Sequence, residues 1–313
     1  MSAGWKALTR SGAHVVAQAN FGGELRPQSS VPVISPYFLA DAESQEQHVR
    51  PDQLVADSQT LHIGETSFAL HPTSGGETAD ELLIHLPDCA VVFTGDMIMP
   101  YIGAPFLPEG SPDGLFEAMR LVQDLRPRLL IHGHPPPTEL FTIETFPALE
   151  TALRELHDVV VAASRAGQPL AEILHLNHLP VLLQESPPAV LPYLVIRENL
   201  IKRIHHQRTG YWKAGGEGIE HIAPADWAAA LDLLGGGREE AFTQTAGQIL
   251  HRGDEALALK ITDCGLLAYP DSGPLATLRR AILYRLVERH QQLNPFKFVY
   301  YAGLARLELP LAR

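Results

Sequence analysis

The segment TSGGETADELLIHLPDCAVVFTGD, residues 73–96, decides the fold class. Glu81–Leu86 (ELLIHL) and Cys89–Thr94 (CAVVFT) are short apolar-rich runs, parted at hairpin distance by Pro87-Asp88. The paired glycines Gly75-Gly76 permit a sharp turn that presents Glu77 from a loop. Outward from this segment lie further β-type runs at Ala13–Gln18, Thr66–His71 and Arg128–His132. A Pro/Gly-rich loop follows Thr94 and leads to Gly114–Leu125. There Leu115, Met119, Val122 and Leu125 recur every three or four residues, as one face of a helix does. Strand, helix and strand in that order predict a layered α/β unit.

The pattern changes to helices from Phe146 onward. Pro147–Ala166 is entered through a proline and ended by Gly167. Val190–Gln207, Pro224–Leu234, Arg238–Arg252, Glu255–Ala268, Leu275–Gln292 and Pro295–Leu307 follow. Glycine and proline clusters at 235–237, 253–254 and 269–274 punctuate them, so the spacing predicts antiparallel helical hairpins.

A chain of 313 residues is long enough for two domains. Its net charge of −12 is uneven: residues 1–145 carry −11 and residues 146–313 carry −1. So acidic a first half repels phosphate backbones, which speaks against a nucleic-acid partner and for a cation. Cys89 and Cys264 lie in different predicted domains and read as small buried hydrophobes rather than as a cluster or a disulfide. No apolar run approaches ~18 residues, which speaks against a membrane partner. The first ten residues lack the apolar stretch of a signal peptide, so the chain as written reads as cytoplasmic.

Three strand ends carry candidate chemistry: Glu77 in its Gly-Gly turn, Asp96 after Phe93-Thr-Gly, and His132-Gly-His134 before Pro135. Two carboxylates and an imidazole at strand ends can bind a divalent metal that activates water. Each has a plainer reading: Glu77 as a turn cap, Asp96 bonded to its own loop, and either histidine as a solvated loop residue. His175, His178, His205 and His206 read as surface or interhelix polar residues.

In this order (strand, Gly-rich turn, hairpin, FTGD, loop, helix, strand, GHP) the segments resemble the second half of a metallo-β-lactamase-fold hydrolase. Gly75-Gly-Glu-Thr-Ala-Asp-Glu81 is similar to the turn of the alkylsulfatase branch, where a Glu stands in for the usual His and another follows four residues on. That branch commonly has Glu at the second carboxylate position, whereas Asp96 matches the wider superfamily. Leu170-Ala-Glu-Ile173, Leu179-Pro180 and Gly210-Tyr-Trp212 resemble the segment that joins alkylsulfatase catalytic and dimerization domains. Ala228–Leu234, Gly253-Asp254 and Asp263–Pro270 resemble the dimerization domain itself.

The resemblance implies an α/β fold: a partial αββα sandwich followed by an all-α dimerization domain. It divides the chain into a metallo-β-lactamase-like second half at 1–145, a helical linker at 146–208 and the dimerization domain at 209–313. It implies zinc, one or two ions, with Glu77 on the first metal, Asp96 bridging and His134 on the second. The reaction it implies is hydrolysis of a sulfate ester or another small ester, by a homodimer. The superfamily's His-x-His-x-Asp-His motif is nowhere in the sequence, and Trp5–Arg10 with Gly12–Ala17 resemble the helix and strand that follow it. The expectation is therefore a chain truncated just downstream of that motif, its activity impaired and its sheet lacking a cover on the inner face. The alternative is a non-catalytic homodimeric interaction protein that has lost the metal site.

Overall fold

A computed structural model describes residues 12–22, 24–25, 47–48, 50–99, 110–134, 137–210, 219, 221–292 and 294–307. The helix expected at 5–10 and the Tyr211-Trp212 pair lie outside them. The chain divides into two units, one holding the described residues through 210 and the other those from 219 onward.

In the first unit, β1 (Val16–Gln18), β2 (Glu24–Leu25), β3 (Gln47–His48) and β4 (Gln53–Val55) form two small pairs. β1 runs parallel to β4, and β2 antiparallel to β3. The main sheet has five strands in sequence order: β5 (Gln59–Ile63), β6 (Thr66–Thr73), β7 (Glu81–Leu86), β8 (Val91–Gly95) and β9 (Leu129–His132). Gly64, at φ +61°, takes the left-handed conformation that the two-residue turn between β5 and β6 requires. A short turn at Pro87–Cys89, with Ala90 left-handed, closes the hairpin expected from Pro87-Asp88. β8 and β9 are parallel, so a crossover must join them.

That crossover contains α1 (Pro112–Leu125). Ser111 caps it, Oγ accepting the Gly114 N–H at 2.9 Å, and Arg126 ends it in a left-handed conformation. Its buried face (Leu115, Phe116, Ala118, Met119, Val122) joins the core that contains Leu83 of β7 and Val92 of β8. Each of the larger side chains, Leu115, Phe116, Met119 and Val122, contributes about 1.5–3 kcal/mol. The same core takes in α2 (Phe146–Arg165), α3 (Leu170–His175) and α4 (Val190–Thr209), through Leu149, Leu156, Ile173, Ile196 and Ile204. Residues 146–208, set apart in the sequence as a linker, thus pack within the first unit, because apolar faces on these helices close over one cluster.

Register explains the opposite face of the sheet. Phe93 pairs with Ile131 and Val91 with Leu129, which places Phe93, Leu129 and Ile131 away from Val92. All three are exposed, Leu129 at 51%. Cys89, expected buried, is exposed, because it ends the turn between β7 and β8.

The second unit is helical: α5 (Pro224–Leu234), α6 (Glu239–His251), α7 (Glu255–Ala268), α8 (Gly273–His290) and α9 (Pro295–Leu304). Asp254, Ser272 and Asn294 cap α7, α8 and α9, each accepting a backbone N–H near 3.0–3.1 Å. Phe242, Cys264 and Leu275 pack in one cluster, and Leu259, Ile282 and Leu286 in another. A Cβ on Gly265 would lie 2.9–3.1 Å from Leu275 and Phe242, so glycine lets α7 approach closely there. Trp227, Leu233 and Leu234 of α5 are exposed, Leu234 at 84%. Among the described residues, no helix is long and apolar enough to cross a membrane.

Candidate metal centre

The loop after β6 is clamped by backbone on both sides. A Cβ on Gly75 would lie 1.9 Å from the Gly114 carbonyl carbon and the Leu115 nitrogen. On Gly76, at φ +100°, it would lie 2.6 Å from the Met97 carbonyl oxygen. Only glycine lets this turn slide between the start of α1 and the chain after β8. Ser111 N–H donates to the Ser74 carbonyl at 3.1 Å, and Gly110 N–H to the Glu77 carbonyl at 3.3 Å. Glu77 is thereby held in the interior, 5% exposed.

Asp96 follows a register shift between Phe93 and Gly95, where Gly95 turns left-handed at φ +55°. The bulge re-aims the chain end of β8 toward the loop after β9. Gly133 N–H donates to the Gly95 carbonyl at 2.7 Å, bringing the two loops together. His134 Nδ1 then lies 2.7 Å from Asp96 Oδ1. With Nδ1–H donated to the carboxylate, a neutral His134 ring carries its lone pair on Nε2, the nitrogen a metal would use.

The two histidines of the His-Gly-His run separate completely. His132 Nε2 donates to the Phe141 carbonyl at 2.8 Å, since a carbonyl can only accept. Its Nδ1 therefore accepts from the Thr94 hydroxyl at 2.7 Å. Burial pushes the His132 pKa below its ordinary value, while the Phe141 hydrogen bond and Asp96 oppose the shift. His132 is a neutral tie between the ends of β8 and β9; His134 is the residue at the site.

Electrostatics couple a fourth group that the sequence reading quoted without assigning it a role. Glu81 opens β7 opposite Thr73 and is 8% exposed. Burial first, then Asp96, Glu77 and Asp80, push its carboxyl up to about 9. Burial and then Asp96 push Glu77 up to about 7, with His134 and Arg203 pulling it back. Three carboxylates share one place, and burial deprives them of the water that would screen them. No local signal marked Arg203, which reaches this loop from α4.

A substitution at Gly133 tests this geometry. A Cβ there would lie 2.4 Å from Asp96 Oδ1 and 3.2 Å from the Gly95 carbonyl carbon. Gly133→Ala should break the Asp96–His134 contact at a cost of about 1–3 kcal/mol. The His134 imidazole NMR signals should shift away from their wild-type positions. Unchanged signals in a folded variant would contradict the placement.

No family model matches the chain, and no curated protein matches it in sequence. Among solved structures, it is similar to the stereoselective inverting sec-alkylsulfatase Pisa1 from Pseudomonas sp., with TM-score 0.71 and 15% identity over 97% of this chain. A double mutant of the sec-alkyl sulfatase PisA1 gives TM-score 0.69 and 14% identity over 95% of this chain. The fold is that of an alkylsulfatase. It is the partial metallo-β-lactamase sandwich with a helical region that the sequence motifs implied. The chain spans about half the length of these alkylsulfatases, 52–54%.

On this alkylsulfatase fold, the three expected ligands come together unequally. Asp96 and His134 are in direct contact, and Glu77 is coupled to both through the electrostatic field. In donor chemistry the set suits a divalent cation: two carboxylate side chains with an imidazole beside them. In number it falls short. Among the described residues no three His, Cys, Asp or Glu side chains form a group that could hold a metal ion.

Proposed function

We propose that this chain carries part of the active centre of a metal-dependent hydrolase, alkylsulfatase-like, acting on a sulfate ester or another small ester. The observation that carries the reading is the Asp96–His134 contact at 2.7 Å beside the buried Glu77, at strand ends of an alkylsulfatase fold. Glu77, Asp96 and His134 would hold zinc, which when bound supplies Lewis acidity to polarise the ester oxygen. Without metal, burial and the neighbouring carboxylates push Glu81 up to about 9 and Glu77 up to about 7, repulsion that a bound cation would relieve. The α5 surface bearing Trp227, Leu233 and Leu234 supports a homodimer formed through the helical unit.

The test is sulfate release from a secondary alkyl sulfate by the zinc-supplemented chain. Release above background that Asp96→Ala abolishes supports the reading. Release equal in both proteins contradicts it. A second reading, a non-catalytic homodimeric interaction protein, is favoured by the lack of a closed ligand group among the described residues. It predicts a dimeric sedimentation mass together with no sulfate release at any zinc concentration.

A further inference from the structure

The first unit buries one guanidinium almost completely. Arg203, on the inner face of α4, is 2% exposed. Its Nη1 donates to the Gly76 carbonyl at 2.6 Å and its Nη2 to the Glu77 carbonyl at 2.7 Å. These carbonyls belong to the two peptide planes on either side of the Glu77 Cα, so one rigid fork holds both backbone torsions of Glu77. The grip continues one helical turn on, where Gln207 Nε2 donates to the Gly110 carbonyl at 3.2 Å. Gly110 in turn donates its N–H to the Glu77 carbonyl. Burying a cation costs free energy unless its partners repay it, and an aliphatic side chain would fill the same space without that cost. What only arginine supplies here is direction: two donors at fixed spacing, and a positive charge behind an acidic cluster.

We propose that Arg203 is a positioning residue for Glu77, its fork fixing the two peptides that flank the Glu77 Cα and so the place of its side chain in the acidic loop. The role rests on the metal-centre reading above, and it lies in geometry set from a helix 126 residues away in sequence.

The test compares the full chain with Arg203→Met and Arg203→Lys. Cobalt(II) uptake is followed by its visible absorption, and backbone hydrogen exchange by mass spectrometry on the metal-free proteins. Arg203→Met should weaken cobalt binding about 10–100-fold, as loss of a group that orients a ligand does. Exchange should quicken at residues 74–81 while α2 stays at the wild-type rate. Arg203→Lys keeps the charge but not the fork, and should fall between the two. Wild-type cobalt affinity in Arg203→Met, or unchanged exchange at 74–81, would overturn the proposal. So would a rise in exchange spread evenly over α1 and α2, which marks an ordinary core residue. If wild-type protein takes up no cobalt, the metal-centre reading fails on its own, and the exchange data alone decide the role of Arg203. If Arg203→Met does not fold, Arg203→Lys decides by the same criteria.

Discussion

Raising the pH from about 5 to about 9, with a chelator present, should destabilise the first unit by roughly 5–7 kcal/mol. Glu81→Gln should remove most of that loss. The cause is a carboxyl whose ordinary pKa of 4.5 rises to about 9 in the folded chain, through burial and then the charges of Asp96, Glu77 and Asp80. Below pH 4.5 the folded and unfolded chains are both protonated at Glu81, and its contribution to stability is fully present. Between 4.5 and 9 the unfolded chain releases a proton that the folded chain keeps, so unfolding gains with every unit of pH at about 1.4 kcal/mol. The loss is complete once the folded carboxyl ionises, near 9. Glu77 adds the same sign over a narrower window, up to about 7. Glutamine keeps the shape and cannot ionise. Chemical denaturation at several pH values gives the slopes, and a wild-type slope in Glu81→Gln would show that another group carries the dependence.

The second large effect is purely steric. Gly75→Ala should unfold the first unit or cost it about 3 kcal/mol or more. The added methyl would sit 1.9 Å from two backbone atoms at the start of α1, and backbone cannot swing aside as a side-chain tip can. Relief requires moving α1 off the loop, which strips Leu115 and Met119 from the core. Gly247→Ala in α6 is the control, since nothing lies within 4 Å of its Cβ position. It should be neutral or stabilising by up to about 1 kcal/mol. Equal melting of the two variants would contradict the clamp described for the Gly75-Gly76 turn.

Much of this was legible in the sequence, for identifiable reasons. Glu81–Leu86 and the helices Pro224–Leu234 and Glu255–Ala268 match to the residue, because prolines, glycines and caps punctuate them. Other elements match within a few residues, as Phe146–Arg165 does for the expected Pro147–Ala166. Gln59–Ile63 was missed although its signal is present: polar and apolar residues alternate, and Gly64 starts the turn to β6. At the candidate site, Glu77, Asp96 and His134 were singled out because each follows a strand in a turn that holds a glycine. His132 and His134 could not be told apart in one dimension, since the difference is a hydrogen bond to Phe141. His205, read as a surface or interhelix polar residue, is of the second kind, 3% exposed on α4. Arg203 was invisible because its partners are more than a hundred residues away, and only the packing of α4 brings them within reach.

Metal analysis tests most directly whether the acidic cluster around Asp96 is a cation site, as proposed above. Purified chain titrated with zinc should bind the ion weakly, because only Asp96 and His134 of the three ligands are in direct contact. Its melting temperature should rise with zinc, because a ligand that binds only the folded state stabilises it. Asp96→Ala and His134→Ala should each lose the ion and the thermal shift. Folded wild-type chain that holds no zinc, with a melting temperature unmoved by the metal, would contradict the account.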